Sequence, residues 1–161
     1  MDDCQKFSHL DHKGDARMVD IGDKAPTRRV AVASCRVHMK PETLKAVMDD
    51  RIKKGNVFTV AKVAAISAAK RTGELIPLCH PLSPEHVDVH FSQDVEGGIL
   101  EITTSVTVTA KTGAEMEALQ AAAQAALTVY DMCKAVDRGI TISDLQLISK
   151  EGGKSGPWKR Q

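Results

Sequence analysis

The segment "YDMCKAVD", residues 130–137, contains two side chains whose spacing suits proton transfer. Asp131 and Lys134 are three residues apart, so a helix would place the carboxylate and the ammonium on the same face. At that distance each group shifts the pKa of the other, which favours an acid–base pair. A surface ion pair on a helix explains the same spacing, and the residues alone leave both interpretations open.

The segment "LIPLCHPL", residues 75–82, places Cys79 beside His80 between Pro77 and Pro81. Three roles are compatible with it: a nucleophile with its base, a pair of metal ligands, or a rigid wall of a binding pocket. Adjacent side chains usually diverge, which disfavours a Cys–His dyad, and a metal site needs further ligands. The prolines favour the pocket wall, whose backbone N–H groups and imidazole would hydrogen-bond a ligand.

Five polar residues follow a spacing of 3, 4, 4 and 3, which places them on one narrow stripe of a helix: Glu117, Gln120, Gln124, Thr128 and Asp131. A solvent-exposed face explains such a stripe, but the other faces are nearly all apolar, which predicts neighbours on more than one side. The first and last residues of the stripe lie about 21 Å apart along a helix axis. A functional role for both therefore requires a long site or one shared by two subunits.

Cations occur in two further segments. Lys53 and Lys54 precede Asn56, a predicted helix cap, and helix N-termini bind phosphate through free N–H groups; a basic surface loop is the alternative. The segment "EGGKSG", residues 151–156, fails as a phosphate-binding P-loop because Ile148 replaces the first glycine of that motif and no helix follows. It remains a Gly-rich basic segment that could close on an anion.

The composition is that of one soluble domain. The chain has 161 residues, 42% of them apolar and 27% charged, with a net charge of +1, which predicts a single core and no general attraction to nucleic acid or membranes. Aromatic residues make up 3%, too few for a base-stacking surface, and no apolar run approaches the roughly 20 residues of a membrane span. The four cysteines form no CxxC pair, which predicts a reduced, cytoplasmic protein without a disulfide framework.

The N-terminal residues 1–17 are polar and lack periodicity, which predicts a flexible arm. Its acidic start has no apolar core region and does not resemble a signal peptide. His9 and His12, with Cys4 nearby, are too few to predict a metal site. Residues 18–161 are expected to form a single catalytic domain that ends in a flexible basic tail.

The order of predicted elements is strand, two helices, β-hairpin, helix, strand. Alternating apolar residues predict strands over residues 28–39, 86–91, 99–108 and 140–149. A first helix is predicted to begin at Pro41, and a second to run from its cap at Asn56 through Arg71, with Gly73 as its stop. A third helix is predicted over residues 113–136, with a capping box formed by Thr112 and Glu115. This is a ferredoxin-like βαββαβ pattern with an extra helix, an α+β fold in which helices pack an antiparallel sheet.

Several of these segments together are similar to one enzyme family. "KGNVFTVAKVAAISAAKRTGELIPLCHPL", "KTGAEMEAL", "ALTVYDMCKAV" and "GGKSG" occur in this order, and "MVDIGDKAPTRRVAVA" precedes them. From about Met18 to Gly156 the chain resembles cyclic pyranopterin monophosphate synthase, the molybdenum cofactor biosynthesis protein C family. It departs from the family pattern at none of these motifs.

The resemblance implies conversion of (8S)-3′,8-cyclo-7,8-dihydroguanosine 5′-triphosphate to cyclic pyranopterin monophosphate, with release of diphosphate, in molybdenum cofactor (molybdopterin) biosynthesis. The protein would then be a lyase, a homohexamer built as a trimer of dimers, with active sites at subunit interfaces. No cofactor is required, although a divalent cation could accompany the triphosphate. A nucleotide- or pterin-binding regulatory oligomer of the same fold, without turnover, is the alternative.

The resemblance also assigns roles to individual residues. It implies catalysis by Asp131, Lys134 and Lys54, and substrate binding by Leu78, Cys79, His80, Met116, Glu117, Arg29, Lys150 and Lys154. The last three of these are the basic residues expected to meet the triphosphate. Lysine and aspartate suit the proton transfers of ring rearrangement and cyclic phosphate formation, and basic residues suit a leaving diphosphate.

Overall fold

The seven predicted strands and helices occur in the predicted order, and the structure adds one short helix and one short strand. The computed structural model describes residues 13–154 and 156–161, so Cys4, His9, His12 and most of the predicted arm lie outside the described residues. The elements in chain order are β1 (Thr27–His38), α1 (Pro41–Met48), α2 (Val57–Lys70), α3 (Thr72–Leu75), β2 (His86–Asp94), β3 (Ile99–Ala110), α4 (Glu115–Cys133), β4 (Thr141–Glu151) and β5 (Trp158–Lys159).

All five strands form one antiparallel sheet in the spatial order β2-β3-β1-β4-β5. The first four strands have the ferredoxin-like arrangement, and both α1 and α2 lie in the first crossover, so the predicted fold with its extra helix is confirmed. Alternate side chains of the central strand β1 are buried in the core, as the period of two requires: Ala31, Ala33, Cys35 and Val37.

Helix α4 packs against the sheet on one side and against α2 on another. Its buried positions are mostly alanines, whose small side chains allow close approach of the backbones: Ala118, Ala121, Ala122, Ala125 and Ala126. Thr104 Oγ1 on β3 donates a hydrogen bond to Ala118 O over 2.8 Å. The prediction that this helix has neighbours on more than one side is therefore confirmed. No helix in the described part of the chain is long and apolar enough to cross a membrane.

The prediction that Gly73 stops the helical segment is wrong. A short helix, α3, covers Thr72–Leu75 directly after α2. A Cβ at position 73 would lie 2.7 Å from Pro81 Cα, which is closer than two carbon atoms can pack. The close approach of Pro81 is therefore the physical reason for glycine at this position.

The predicted Thr112–Glu115 capping box is also wrong. Ala114 occupies the N-cap of α4, and no side chain makes the capping hydrogen bond. Glu115 turns toward β4 instead, where its Oε1 accepts a hydrogen bond from Lys150 Nζ over 2.9 Å. A tertiary ion pair has thus replaced the local interaction that the sequence suggested.

The end of the chain folds back onto β4, which the sequence patterns did not predict. In β5, Lys159 pairs with Ser149 and Trp158 pairs with Lys150. Arg160 Nε then donates to Leu147 O over 2.8 Å. A two-residue strand is too short to produce an alternating pattern, so only the pairing with β4 identifies it.

Candidate active site

The C-terminal end of α4 brings the three predicted catalytic residues together. Lys54 Nζ lies 2.9 Å from Asp131 Oδ2, and Lys134 Nζ lies 2.7 Å from Asp131 Oδ1. Lys54 Nζ also donates to the backbone carbonyl of Asp131 over 2.7 Å. One carboxylate therefore joins a lysine of its own helix to a lysine of the α1–α2 loop.

The two lysines determine the charge of this carboxylate. Hydrogen bonds from Lys134 and then Lys54, together with their charges, lower the pKa of Asp131 from 3.8 to about 2, so the group is ionised at neutral pH. In return, the hydrogen bond and charge of Asp131 raise the pKa of Lys134. All three side chains are 45–56% exposed, so water screens their attraction and the cluster adds little to fold stability.

The loop that carries Lys54 is fixed by the side chain of Asn56. Its Oδ1 accepts a hydrogen bond from Thr59 N over 2.7 Å, which confirms the predicted cap of α2. Its Nδ2 donates to Asp50 Oδ1 over 2.6 Å. Gly55, with a φ of 104°, supplies a backbone reversal that other residues rarely adopt. This local geometry directs Lys54 toward α4.

Beside this cluster lies a cleft of about 350 Å³, called here the Lys134 cleft. Its lining residues are Lys54, Tyr130, Lys134, Ala135 and Arg138. The sequence did not point to Arg138, because α4 ends at Cys133 and helical spacing carries no information beyond that residue.

A second cleft of about 320 Å³, called here the Glu117 cleft, lies at the N-terminal end of α4. Five predicted substrate-binding residues line it: Leu78, Cys79, His80, Met116 and Glu117. Cys79 N donates to Ile76 O over 3.0 Å in a turn, and Pro81 packs against Gly73. Residues 78–80 are thus held between two anchored points, which is the geometry of a pocket wall.

The thiol of Cys79 is not activated. Burial and then the charge of Glu117 raise its pKa, whereas a nucleophilic cysteine needs a lowered one. Among the residues that the structure describes, no group of three or more His, Cys, Asp and Glu side chains could hold a metal ion.

Glu117 is a buried carboxyl with 2% exposure. Burial raises its pKa from 4.5 to about 7; the charge of Glu115 adds to the rise, and a hydrogen bond from its own backbone N–H opposes it. Near neutral pH the group therefore exists in both protonation states. The neutral form offers a donor and an acceptor, while the ionised form only accepts.

The basic residues predicted to meet the triphosphate are only partly grouped. Arg29 and Lys150 line a small depression of about 20 Å³ that shares Glu115 with the Glu117 cleft. Arg29 donates to two backbone carbonyls over 3.1 and 3.3 Å, and Lys150 is paired with Glu115. Lys154 lies exposed in the turn after β4.

Residues 19–24 form another side of the Glu117 cleft, which the sequence interpretation did not assign. Val19, Ile21 and Lys24 line it, and Lys111 Nζ holds the segment by donating to Gly22 O over 2.6 Å. The segment has no hydrophobic period, so its only signal is the motif "MVDIGDKAP" within the family resemblance.

The two clefts lie at opposite ends of α4. Glu117 and Asp131 are separated by about 21 Å along the helix axis. Within a single chain, Lys54 and Lys134 therefore do not face the residues that line the Glu117 cleft.

Known protein sequences are similar to this chain over nearly its whole length. A sequence model of the MoaC family matches residues 18–153. The chain is 56% identical to cyclic pyranopterin monophosphate synthase of Chloroflexus aurantiacus over 155 residues, which covers 96% of this chain and 95% of that protein. It is 56% identical to the synthase of Thermomicrobium roseum, over 97% of this chain and 94% of that protein. It is 53% identical to the synthase of Parvibaculum lavamentivorans, over 97% of this chain and 98% of that protein.

Proposed function

Because this chain belongs to the MoaC family, we propose that it is a cyclic pyranopterin monophosphate synthase of molybdenum cofactor biosynthesis. Its substrate is (8S)-3′,8-cyclo-7,8-dihydroguanosine 5′-triphosphate, and the reaction releases diphosphate, which makes the protein a lyase. The observation that carries this proposal is the contact of Lys54 and Lys134 with the single carboxylate of Asp131. A protein that only binds a nucleotide has no need for such a set.

The three catalytic groups differ in the proton that each holds. Asp131, with a pKa of about 2, stays ionised and orients both ammonium groups. Lys134, whose pKa is raised by Asp131, is protonated and is therefore the proposed donor of a proton to the rearranging ring. Lys54 is the second lysine in contact with the same carboxylate.

The Glu117 cleft is suited to the heterocycle. It is lined by apolar side chains such as Leu78 and Met116 together with polar ones such as His80 and Glu117, the mixture that pockets for ring systems need. Glu117 can accept hydrogen bonds from ring N–H groups and, when protonated, donate one.

Arg29, Lys150 and Lys154 supply cations for the triphosphate. Lys150 would exchange its bond to Glu115 for one to a phosphate oxygen. Proton transfer and charge neutralisation suffice for this reaction, so the proposal requires no further cofactor, and a divalent cation would enter with the triphosphate.

The distance between the clefts supports a site shared by two subunits. If two copies pack with their α4 helices antiparallel, a two-fold axis near the middle of the helix brings the Lys134 cleft of one copy to the Glu117 cleft of the other. Large apolar side chains on and near α2 and α4 are exposed by 43–59% and are available for such packing: Val60, Val63, Leu75 and Leu127. Three such dimers would form the hexamer that the family resemblance implies.

The cysteines support a reducing location. Cys35, Cys79 and Cys133 are unpaired within the described residues. Unpaired thiols are the usual state in the cytoplasm, so the cytoplasm is the proposed compartment.

The function is tested by supplying the cyclised GTP intermediate and measuring diphosphate release and pterin product. Lys134→Ala should lose at least about 100-fold in turnover, because general acid–base catalysis contributes about that much. Lys45→Ala, an exposed lysine of α1, serves as the matched control. Full turnover by Lys134→Ala would exclude its catalytic role, and binding by the unmodified protein without diphosphate release would identify a regulatory binder instead.

The shared site is tested by mixing two inactive proteins. Glu117→Ala chains supply an intact Lys134 cleft, and Asp131→Asn chains supply an intact Glu117 cleft. Hetero-assemblies should therefore recover activity at the sites that combine the two intact halves. Absence of recovery despite demonstrated subunit exchange would show that each site belongs to one chain.

A further inference from the structure

The Lys134 cleft carries more positive charge than its carboxylate can neutralise. Three cations line it, those of Lys54, Lys134 and Arg138. Both lysines share Asp131, and within residues 13–154 and 156–161 the guanidinium of Arg138 has no ion-pair partner. A half-open cleft with three cations and one carboxylate favours an anionic ligand.

The carboxylate nearest to Arg138 in sequence is unavailable to it. Asp137 is 3% exposed, and its Oδ2 accepts hydrogen bonds from Lys40 N over 2.9 Å and from Thr43 Oγ1 over 3.2 Å. These contacts lower the pKa of Asp137 and hold its charge inside the protein. Arg138 is therefore left without the neighbour that would otherwise neutralise it.

The same buried carboxylate fixes the backbone of Arg138. Asp137 Oδ1 accepts a hydrogen bond from Gly139 N over 3.0 Å, an Asx turn that encloses residue 138. Asp137 N in turn donates to Cys133 O over 3.0 Å, at the end of α4. The peptide that carries Arg138 is thus anchored in the core while its side chain lies in the cleft.

We propose that Arg138 is a substrate-binding residue of this protein and forms, with Lys54 and Lys134, a diphosphate-binding site in the Lys134 cleft. A guanidinium presents two parallel N–H donors that match a phosphate group, and it remains charged at every working pH. The proposal deepens the proposed function, on which it rests, because diphosphate is the group that the reaction releases. In the proposed shared site, these three cations would meet those that Arg29, Lys150 and Lys154 supply beside the Glu117 cleft of the other copy, and together they would neutralise the leaving diphosphate as its charge develops.

The test is calorimetric titration of the full-length protein with inorganic diphosphate at low ionic strength. Arg138→Gln should raise the dissociation constant about tenfold or more, since a charge-assisted hydrogen bond contributes that much. The dissociation constant of Arg138→Lys should lie between those of the unmodified protein and Arg138→Gln, because an ammonium keeps the charge but lacks the two parallel donors of a guanidinium. The control is Arg28→Gln, which changes an exposed arginine of β1 outside the cleft. Its dissociation constant for diphosphate should stay within about twofold of that of the unmodified protein.

Turnover measurements separate this inference from the proposed function. The inhibition constant of diphosphate should rise in Arg138→Gln by the same factor as the dissociation constant. Equal diphosphate affinity in Arg138→Gln and Arg28→Gln, in a protein that turns over its substrate, would overturn the site and leave the function intact. Loss of diphosphate affinity in Arg138→Gln, in a protein that lacks turnover, would support the site and remove the proposed reaction.

Discussion

The two ends of α4 carry carboxyl groups in opposite electrostatic surroundings. Glu117 is buried, and this burial raises its pKa to about 7. Asp131 lies more than half exposed between two ammonium groups, and its pKa is about 2. One helix therefore presents a carboxyl that changes protonation near neutral pH and another that keeps its charge. This difference in pKa is determined by the groups that surround each carboxyl in the folded protein, and not by residue type or position in the helix.

The difference divides the chemistry between the clefts. A carboxyl that can be neutral is able to donate as well as accept, which suits recognition of a heterocycle. A permanently ionised carboxylate suits the orientation of two lysines, to which the proposed function assigns the proton transfers. Substitutions at the Asp131 end of α4 should therefore change mainly turnover, whereas substitutions at the Glu117 end should change mainly KM and the pH dependence of stability.

The largest effect is expected from Asp131→Asn, which removes the charge between the lysines but keeps the shape. Turnover should fall by roughly 100-fold to 10,000-fold, with little change in KM, since the Glu117 cleft is intact. The pKa of Lys134 should fall because Asp131 no longer raises it, and the alkaline limb of the pH–rate profile should move to lower pH. Asp144→Asn, an exposed aspartate beside Arg36, is the control. Turnover within a few-fold of the unmodified protein would remove Asp131 from catalysis.

The next effect concerns the free energy of unfolding of Glu117→Gln as a function of pH. The folded-state pKa of Glu117 is raised, so its contribution to stability is complete below pH 4.5 and is lost as the pH rises through about 7. The neutral amide of glutamine does not titrate. The free energy of unfolding of Glu117→Gln, relative to that of the unmodified protein, should therefore increase by on the order of 3 kcal/mol between pH 4 and pH 8. A difference in unfolding free energy that stays constant over this range would contradict the raised pKa.

A smaller effect is expected from Gly73→Ala, which acts only on the Glu117 cleft. The added Cβ would overlap Pro81 and should lower the free energy of unfolding by about 1–3 kcal/mol, as overpacking does. Displacement of Pro81 shifts the neighbouring residues 78–80, so KM should rise more than kcat falls. Gly139→Ala is the stability control, because the nearest side-chain atom would lie 3.4 Å from its Cβ. Equal unfolding free energies for the two variants would show that Pro81 moves freely.

The smallest effect is expected from Cys79→Ser. The thiol has a raised pKa and serves as part of a wall, so turnover should stay within about tenfold of the unmodified protein. Steady-state kinetics with the cyclised GTP intermediate measures this directly. If turnover vanished while substrate binding and fold were preserved, Cys79 would regain the role of nucleophile.

The long elements of the fold were predictable because they depend on local periodicity. The alternation of β1 and of the β2–β3 hairpin and the Ala-rich period of α4 identified the sheet and its main helix. The Asn56 cap was predictable for the same reason, since Thr59 lies three residues away. Where tertiary contacts compete with local ones, as for Glu115 and Gly73, the local rules failed.

The sequence by itself determined the long elements, their order and, through spacing and family resemblance, part of the lining of both clefts. Helical spacing predicted that Asp131 lies beside Lys134, and residues 78–80 are neighbours because they are consecutive in the chain. Only the tertiary structure decided that Lys54 reaches Asp131, that Lys150 pairs with Glu115 and that Arg138 lines the Lys134 cleft. It also decided that Glu117 titrates near neutral pH while Asp131 does not. The physical reason is that charge and burial depend on neighbours distant in the chain, and a sequence pattern carries no record of those neighbours until the chain has folded.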